Sequence, residues 1–137
     1  MTKPIAIIAG EPNSISSEII FKSWKNKKKY LHKPFIIIGS INLLKLQNKQ
    51  LKYNINIKKI DKNFKIKDYN KNELLVYNIN YIQKVPFQNI SNKSNAYIFK
   101  CFDEAIKLIK EKKILGIINC PIAKEVLFKK KQMGITE

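Results

Sequence analysis

Arginine is absent from this 137-residue chain: all 27 basic residues are lysine, set against 10 acidic ones. The formal charge of +17 would by itself point to nucleic acid or an anionic membrane surface. Phosphate and base readers lean on arginine, whose planar fork binds bidentately, so its absence argues against a nucleic-acid partner. Lysine, isoleucine and asparagine are abundant together, and all three have AT-rich codons. A compositional bias that spreads lysine over solvated surfaces accounts for the charge. Long apolar runs are missing too, and none approaches the roughly 20 residues a membrane helix needs. Met1-Thr2-Lys3-Pro4 leads straight into a strand-like segment, with neither the h-region nor the cleavage site of a secretory signal. The expectation is a cytoplasmic protein with no membrane partner. Cysteine is scarce: Cys101 and Cys120 form no CxxC pair and are expected to be reduced, buried thiols. Histidine occurs once, as His32 after a surface-type helix, and is read as structural or solvated.

What is present suits one domain. The hydrophobic fraction of 45% supports a packed core and excludes global disorder. Ile5-Ala6-Ile7-Ile8-Ala9, Phe35-Ile36-Ile37-Ile38 and Ile114-Leu115-Gly116-Ile117-Ile118 are short continuous apolar runs, the pattern of strands buried on both faces. The alternation from Leu51 to Phe64 and the segment Glu73 to Asn78 predict two more strands. Ser16 or Ser17 is placed to cap a helix with Glu18 in its first turn and Ile20, Phe21 and Trp24 on one face. Lys25, Lys27, Lys28 and Lys29 follow where the dipole favours cations. Ser40 is placed to cap a helix through Leu43, Leu44 and Leu46. A longer helix is expected from Ser94 to Lys112, with an apolar stripe of Ile98, Phe102, Ala105 and Ile109 and an Asp103–Lys107 pair outside. Pro121 suits the first position of a further helix, with Val126 and Leu127 inward and Lys129 to Lys131 closing it. Strand and helix alternate, which predicts a layered α/β/α fold with a mostly parallel sheet.

Two turns follow buried strands, where ligands bind in open α/β sheets. One is Gly10-Glu11-Pro12-Asn13-Ser14-Ile15-Ser16-Ser17-Glu18, the other Asn119-Cys120-Pro121-Ile122-Ala123-Lys124-Glu125. The helix start after each would present free N–H groups to an anion. Lys124 stands in a first helical turn, where a cation opposes the dipole, and is therefore a candidate functional residue beside its reading as a solvated lysine.

These turns carry a resemblance. The 4-hydroxythreonine-4-phosphate dehydrogenase family opens with a strand and a turn of the form G-[DE]-P-A-G-I-G-P-E, matched here at Gly10, Glu11, Pro12, Ile15 and Glu18. Its later turn T-[AG]-P-[IV]-[NH]-K-E is matched at Pro121, Ile122, Lys124 and Glu125, and its G-H-T-E is similar to Gly134-Ile135-Thr136-Glu137. The resemblance implies that residues 1–137 are the N-terminal α/β portion of a longer dehydrogenase, incomplete relative to the family fold. It implies NAD-dependent oxidation, with decarboxylation, of 4-phosphooxy-L-threonine in pyridoxine 5'-phosphate synthesis. A small phosphorylated amino-acid substrate, a divalent metal in the full-length family and a homodimer come with it. Glu11, Lys124 and Thr136 are the residues it sets near the substrate, Thr136 in a substrate-binding role.

The departures are specific. Two motif glycines are Ser14 and Ser16, its proline is Ser17, and the substrate-contacting histidine is Ile135. The family's metal is held by three histidines further along, so the chain by itself is expected to be inactive, with no metal ligand of its own. Two other readings stand beside this one: a diverged, non-catalytic binding module on the same fold, and a basic nucleic-acid-binding protein.

Overall fold

The computed structural model describes residues 3–26, 34–69 and 71–127. It contains β1 (Ile5–Ile8), α1 (Ser16–Lys25), β2 (Phe35–Gly39), α2 (Ile41–Leu51), β3 (Asn56–Ile60), β4 (Glu73–Asn78), α3 (Asn95–Lys110), β5 (Ile117–Asn119) and α4 (Lys124–Leu127), with short 3-10 turns at Ile66–Asp68 and Asn92–Ser94. The strands form one sheet in the order β3-β4-β2-β1-β5, and every pairing is parallel. The expected layered, parallel α/β fold is what forms.

The continuous apolar runs become central strands because both faces of the sheet are covered. All five residues of β2 are buried. Its side chains alternate: Ile36 and Ile38 join Ala6, Ile8, Ile98, Cys101, Ala105 and Leu108 under α3. Phe35 and Ile37 join Ile20, Phe21, Ile41 and Leu44 under α1 and α2. The period-2 alternation of a strand thus feeds two cores.

Several local expectations shift. Ser16 and Ser17 are the first residues of α1; its N-cap is Ile15, with no side-chain cap. The Ser16 hydroxyl is drawn away from capping by the turn described below. Ser40 does cap α2, accepting from the Leu43 N–H at 3.3 Å. Leu46 is only half-buried and Gln47 takes the inward position. The strand expected from Leu51 to Phe64 contracts to β3, because α2 runs on to Leu51 and Lys52 ends it at a φ of 59°. On α3 the buried face is Tyr97, Ile98, Cys101, Ala105 and Leu108. Ile109 stays 40% exposed, so the expected stripe is rotated toward positions that meet the sheet. Lys107 pairs with Glu104 at 3.2 Å rather than with Asp103. The third central strand begins only at Ile117, and α4 begins at Lys124, so Pro121 lies before that helix and not in its first turn. Lys27 to Lys29, Lys129 to Lys131 and His32 lie outside the described residues.

The connections define where a ligand would sit. From β1 the chain moves through α1 to β2 on one side. After β4 it crosses through α3 and returns to pair β5 with the other side of β1. The direction of winding reverses between β1 and β5, and such a switch point opens a crevice at the carboxyl ends of the strands.

Candidate functional site

The two motif turns meet at this switch point. Cys120 N–H donates to the Ile8 carbonyl at 2.9 Å, and the Pro121 carbonyl accepts from Glu11 N–H at 3.0 Å. The same carbonyl accepts from the Ser16 hydroxyl at 3.2 Å. Gly10 has a φ of +74°, and a Cβ there would stand 2.6 Å from the Pro121 oxygen and 2.9 Å from that of Cys120. Only glycine fits both the left-handed backbone and the approach of the second turn.

Glu11 is 1% exposed. Its carboxylate accepts from Asn13 N–H at 2.9 Å and, at a long 3.5 Å, from the Ser94 hydroxyl. Burial raises its pKa above the ordinary carboxylate value, opposed by those two donors. The carboxylate closes the turn from inside and ties it to the start of α3.

The serines that replace motif glycines bond within the turn. The Ser14 hydroxyl donates to the Glu11 carbonyl at 3.1 Å, lies 2.9 Å from the Ser16 hydroxyl and accepts from Ser16 N–H at 3.2 Å. Ser17 Oγ is buried without a hydrogen-bond partner among the described residues. It borders a small enclosed space walled by Glu11, Gln47 and Tyr97.

A segment after β4 folds over this turn. Asn13 and Gln83 exchange two amide hydrogen bonds, at 3.1 and 2.8 Å, and Asn13 Oδ1 also accepts from Gln88 N–H at 3.0 Å. Gln47, 2% exposed, donates from Nε2 to the Pro12 carbonyl at 2.7 Å and the Pro86 carbonyl at 2.9 Å. Tyr97 Oη accepts from Ser40 N–H at 2.8 Å, and its ring stacks on Tyr81 at 4.7 Å. These amides and tyrosines were missed in the sequence. The signal that could have found one of them is Gln47 itself, a polar residue on the face set by Leu43 and Leu44.

Of the three residues carried by the resemblance, Glu11 is at the centre of the joined turns. Lys124 is exposed at the start of α4, on the second turn, and no ion pair links it to Glu11. Thr136 lies outside the described residues, as does Ile135. Both cysteines are buried; burial pushes the Cys101 thiol up to about 12 and the Cys120 thiol up to about 11. They are protonated at neutral pH and are not nucleophiles. Among the described residues no group of three or more His, Cys, Asp or Glu could hold a metal ion, and no helix is long and apolar enough to cross a membrane.

Residues 31–137 match the sequence model of the family described as pyridoxal phosphate biosynthetic protein PdxA. The chain belongs to this family. It is 31% identical over 121 residues to the 4-hydroxythreonine-4-phosphate dehydrogenase of Sulfurihydrogenibium sp., an alignment covering 88% of this chain and 36% of that protein. It is 28% identical over 129 residues to an Oceanobacillus iheyensis protein provisionally named D-threonate 4-phosphate dehydrogenase, covering 93% and 39%. The structure superposes on the crystal structure of the Burkholderia phymatum 4-hydroxythreonine-4-phosphate dehydrogenase with a TM-score of 0.79 and 19% identity, covering 96% of this chain and 40% of the other. The fold is thus shared with that structure, and the chain spans about 36 to 40% of the length of these relatives.

Proposed function

We propose that residues 1–137 are the N-terminal α/β portion of a dehydrogenase that oxidises a small phosphorylated hydroxy-acid substrate with NAD, 4-phosphooxy-L-threonine by family resemblance, in pyridoxine 5'-phosphate synthesis. The observation that carries this reading is the locking of the two motif turns at the β1/β5 switch point through Gly10, Glu11 and Pro121. In such a reaction the secondary hydroxyl would lose its proton while the carbon bearing it would give a hydride to NAD, and the β-keto acid so formed would lose CO2. The part of this chain is to shape one wall of the cleft. Glu11 fixes the turn without facing solvent and acts as a positioning residue. Lys124, exposed at the second turn, offers a point charge to a phosphate. Thr136 offers a hydroxyl that donates or accepts. By the resemblance, a divalent metal held by residues further along would polarise the hydroxyl and the ketone formed from it. A cytoplasmic homodimer of the longer protein completes the proposal.

The substrate is tested by NAD reduction with 4-phosphooxy-L-threonine and with D-threonate 4-phosphate, each with added divalent metal, in the 137-residue chain and in a longer protein containing it. The expected outcome is turnover of the first substrate by the longer protein alone. Turnover by the 137-residue chain would refute its role as a partial catalytic unit. A longer protein that binds substrate without turnover would favour the non-catalytic binding module, a reading supported by the replacement of two motif glycines by Ser14 and Ser16, whose hydroxyls bond to each other and, from Ser16, to the Pro121 carbonyl.

A further inference from the structure

At the opposite end of the sheet a groove of about 330 Å³ is lined by Lys3, Pro4, Phe64, Lys65, Ile66, Lys67, Lys112 and Lys113. Its segments lead into the amino ends of β1, β4 and β5, so it is remote from the joined turns. Five of its eight lining residues are lysine, against 27 of 137 in the whole chain. No carboxylate lines the groove. The nearest acids in sequence are Asp68, after Lys67, and Glu111, which lies 3.8 Å from the Lys113 ammonium. Lys113 also donates to the Lys62 carbonyl. Lys3, Lys65, Lys67 and Lys112 are exposed around the rim.

The rim is held by backbone. Leu115 N–H donates to the Pro4 carbonyl at 2.9 Å, Asp68 N–H to the Lys65 carbonyl at 2.9 Å, and Lys112 N–H to the Ile109 carbonyl at 2.9 Å. Lys112 itself turns at a φ of 59°. The groove faces the C-terminal end of α3, whose dipole contributes roughly half a negative charge. Four exposed ammonium groups outweigh it. Like charges gathered in one concavity repel, and a multivalent anion relieves that repulsion. Pro4, Phe64 and Ile66 give the floor an apolar character that a bare phosphate would leave wetted.

We propose that this groove is a second ligand site, which takes a small phosphate-bearing anion with an apolar body, of the chemical class of nucleoside phosphates. The phosphates lie among Lys65, Lys67 and Lys112, and the apolar body covers Phe64 and Ile66. The proposal is independent of the dehydrogenase reading, since it uses none of the residues of the switch-point cleft.

The test is calorimetric titration of the 137-residue chain with ADP and with inorganic pyrophosphate at low salt. Amide shifts of residues 64–67 and 112–113 locate the binding. ADP is expected to bind one to one, about tenfold more tightly than pyrophosphate. The pair Lys65→Gln/Lys67→Gln is expected to lose about tenfold in ADP affinity. The pair Lys45→Gln/Lys49→Gln, which removes the same charge from the exposed face of α2, is expected to lose less than about twofold, the residue of long-range attraction that salt screens. Equal affinity for ADP and pyrophosphate, or equal losses in the two pairs, would overturn the proposal in favour of diffuse attraction to a basic chain.

Discussion

A Cβ on Gly10 would stand 2.6 Å from the carbonyl oxygen of Pro121, although the two residues are more than a hundred positions apart in sequence. The contact is backbone against backbone, so no side-chain rotation relieves it. Gly10→Ala is therefore expected to cost at least about 2 kcal/mol, from the left-handed φ and the clash together. Urea unfolding measures it; a loss below that of an ordinary surface substitution would show that the turns are not locked.

Glu11 makes the stability of the fold depend on pH in a defined sense. Its folded pKa is raised by burial, so the folded state binds the proton more tightly than the unfolded chain does. The contribution is fully present below the unfolded value, about 4.3, and is lost as pH rises through the raised folded value. Glu11→Gln keeps an acceptor for Asn13 N–H without a charge to desolvate. Its unfolding free energy relative to the parent chain should therefore improve on going from pH 4 to pH 7. A difference that is flat, or that moves the other way, would show that the carboxylate is not desolvated.

Gln47 holds two segments by one amide group. Gln47→Leu preserves the bulk of the side chain but leaves the Pro12 and Pro86 carbonyls without their donor. A loss of about 1–3 kcal/mol is expected, together with faster hydrogen exchange in residues 79–91. Unchanged exchange there would mean that Asn13 and Gln83 hold the segment on their own.

The last prediction concerns the longer protein. A polar substrate loses a partner when an imidazole is replaced by an alkyl chain, as at Ile135. Ile135→His should leave the substrate KM unchanged or lower it. Thr136→Val should weaken binding by roughly 1–3 kcal/mol, read from KM and kcat/KM. If Thr136→Val is silent, the similarity of Gly134-Ile135-Thr136-Glu137 to the family motif carries no substrate role.

The central strands were legible in the sequence because burial on both faces demands continuous apolar runs, and Ile5 to Ile8 and Phe35 to Ile38 leave little alternative. Glu73 to Asn78 was also legible as a strand, although asparagine and lysine blur the pattern around it. The two motif turns were legible as turns at strand ends, because Gly10 and Pro12 punctuate the first and Pro121 the second. Their meeting was not. Sequence spacing does not say that β5 returns beside β1, and only that return brings the Pro121 carbonyl to Gly10, Glu11 and Ser16. The same holds for side chains whose local preferences lose to distant partners. Ser16 reads as a cap but bonds across the switch point. Ile109 reads as core but is turned outward, because Tyr97 and Leu108 fill the sheet-facing side of α3. Gln47, which the sequence reading passed over, is buried and donates to the Pro12 and Pro86 carbonyls. Composition and periodicity by themselves determined a parallel α/β layer with apolar strands and a lysine-covered surface, since these follow from local backbone preference and burial. The joined turns, the buried Glu11 and the lysine-rimmed groove were decided by tertiary structure, because each depends on backbone groups that only the completed sheet brings within hydrogen-bonding or electrostatic reach.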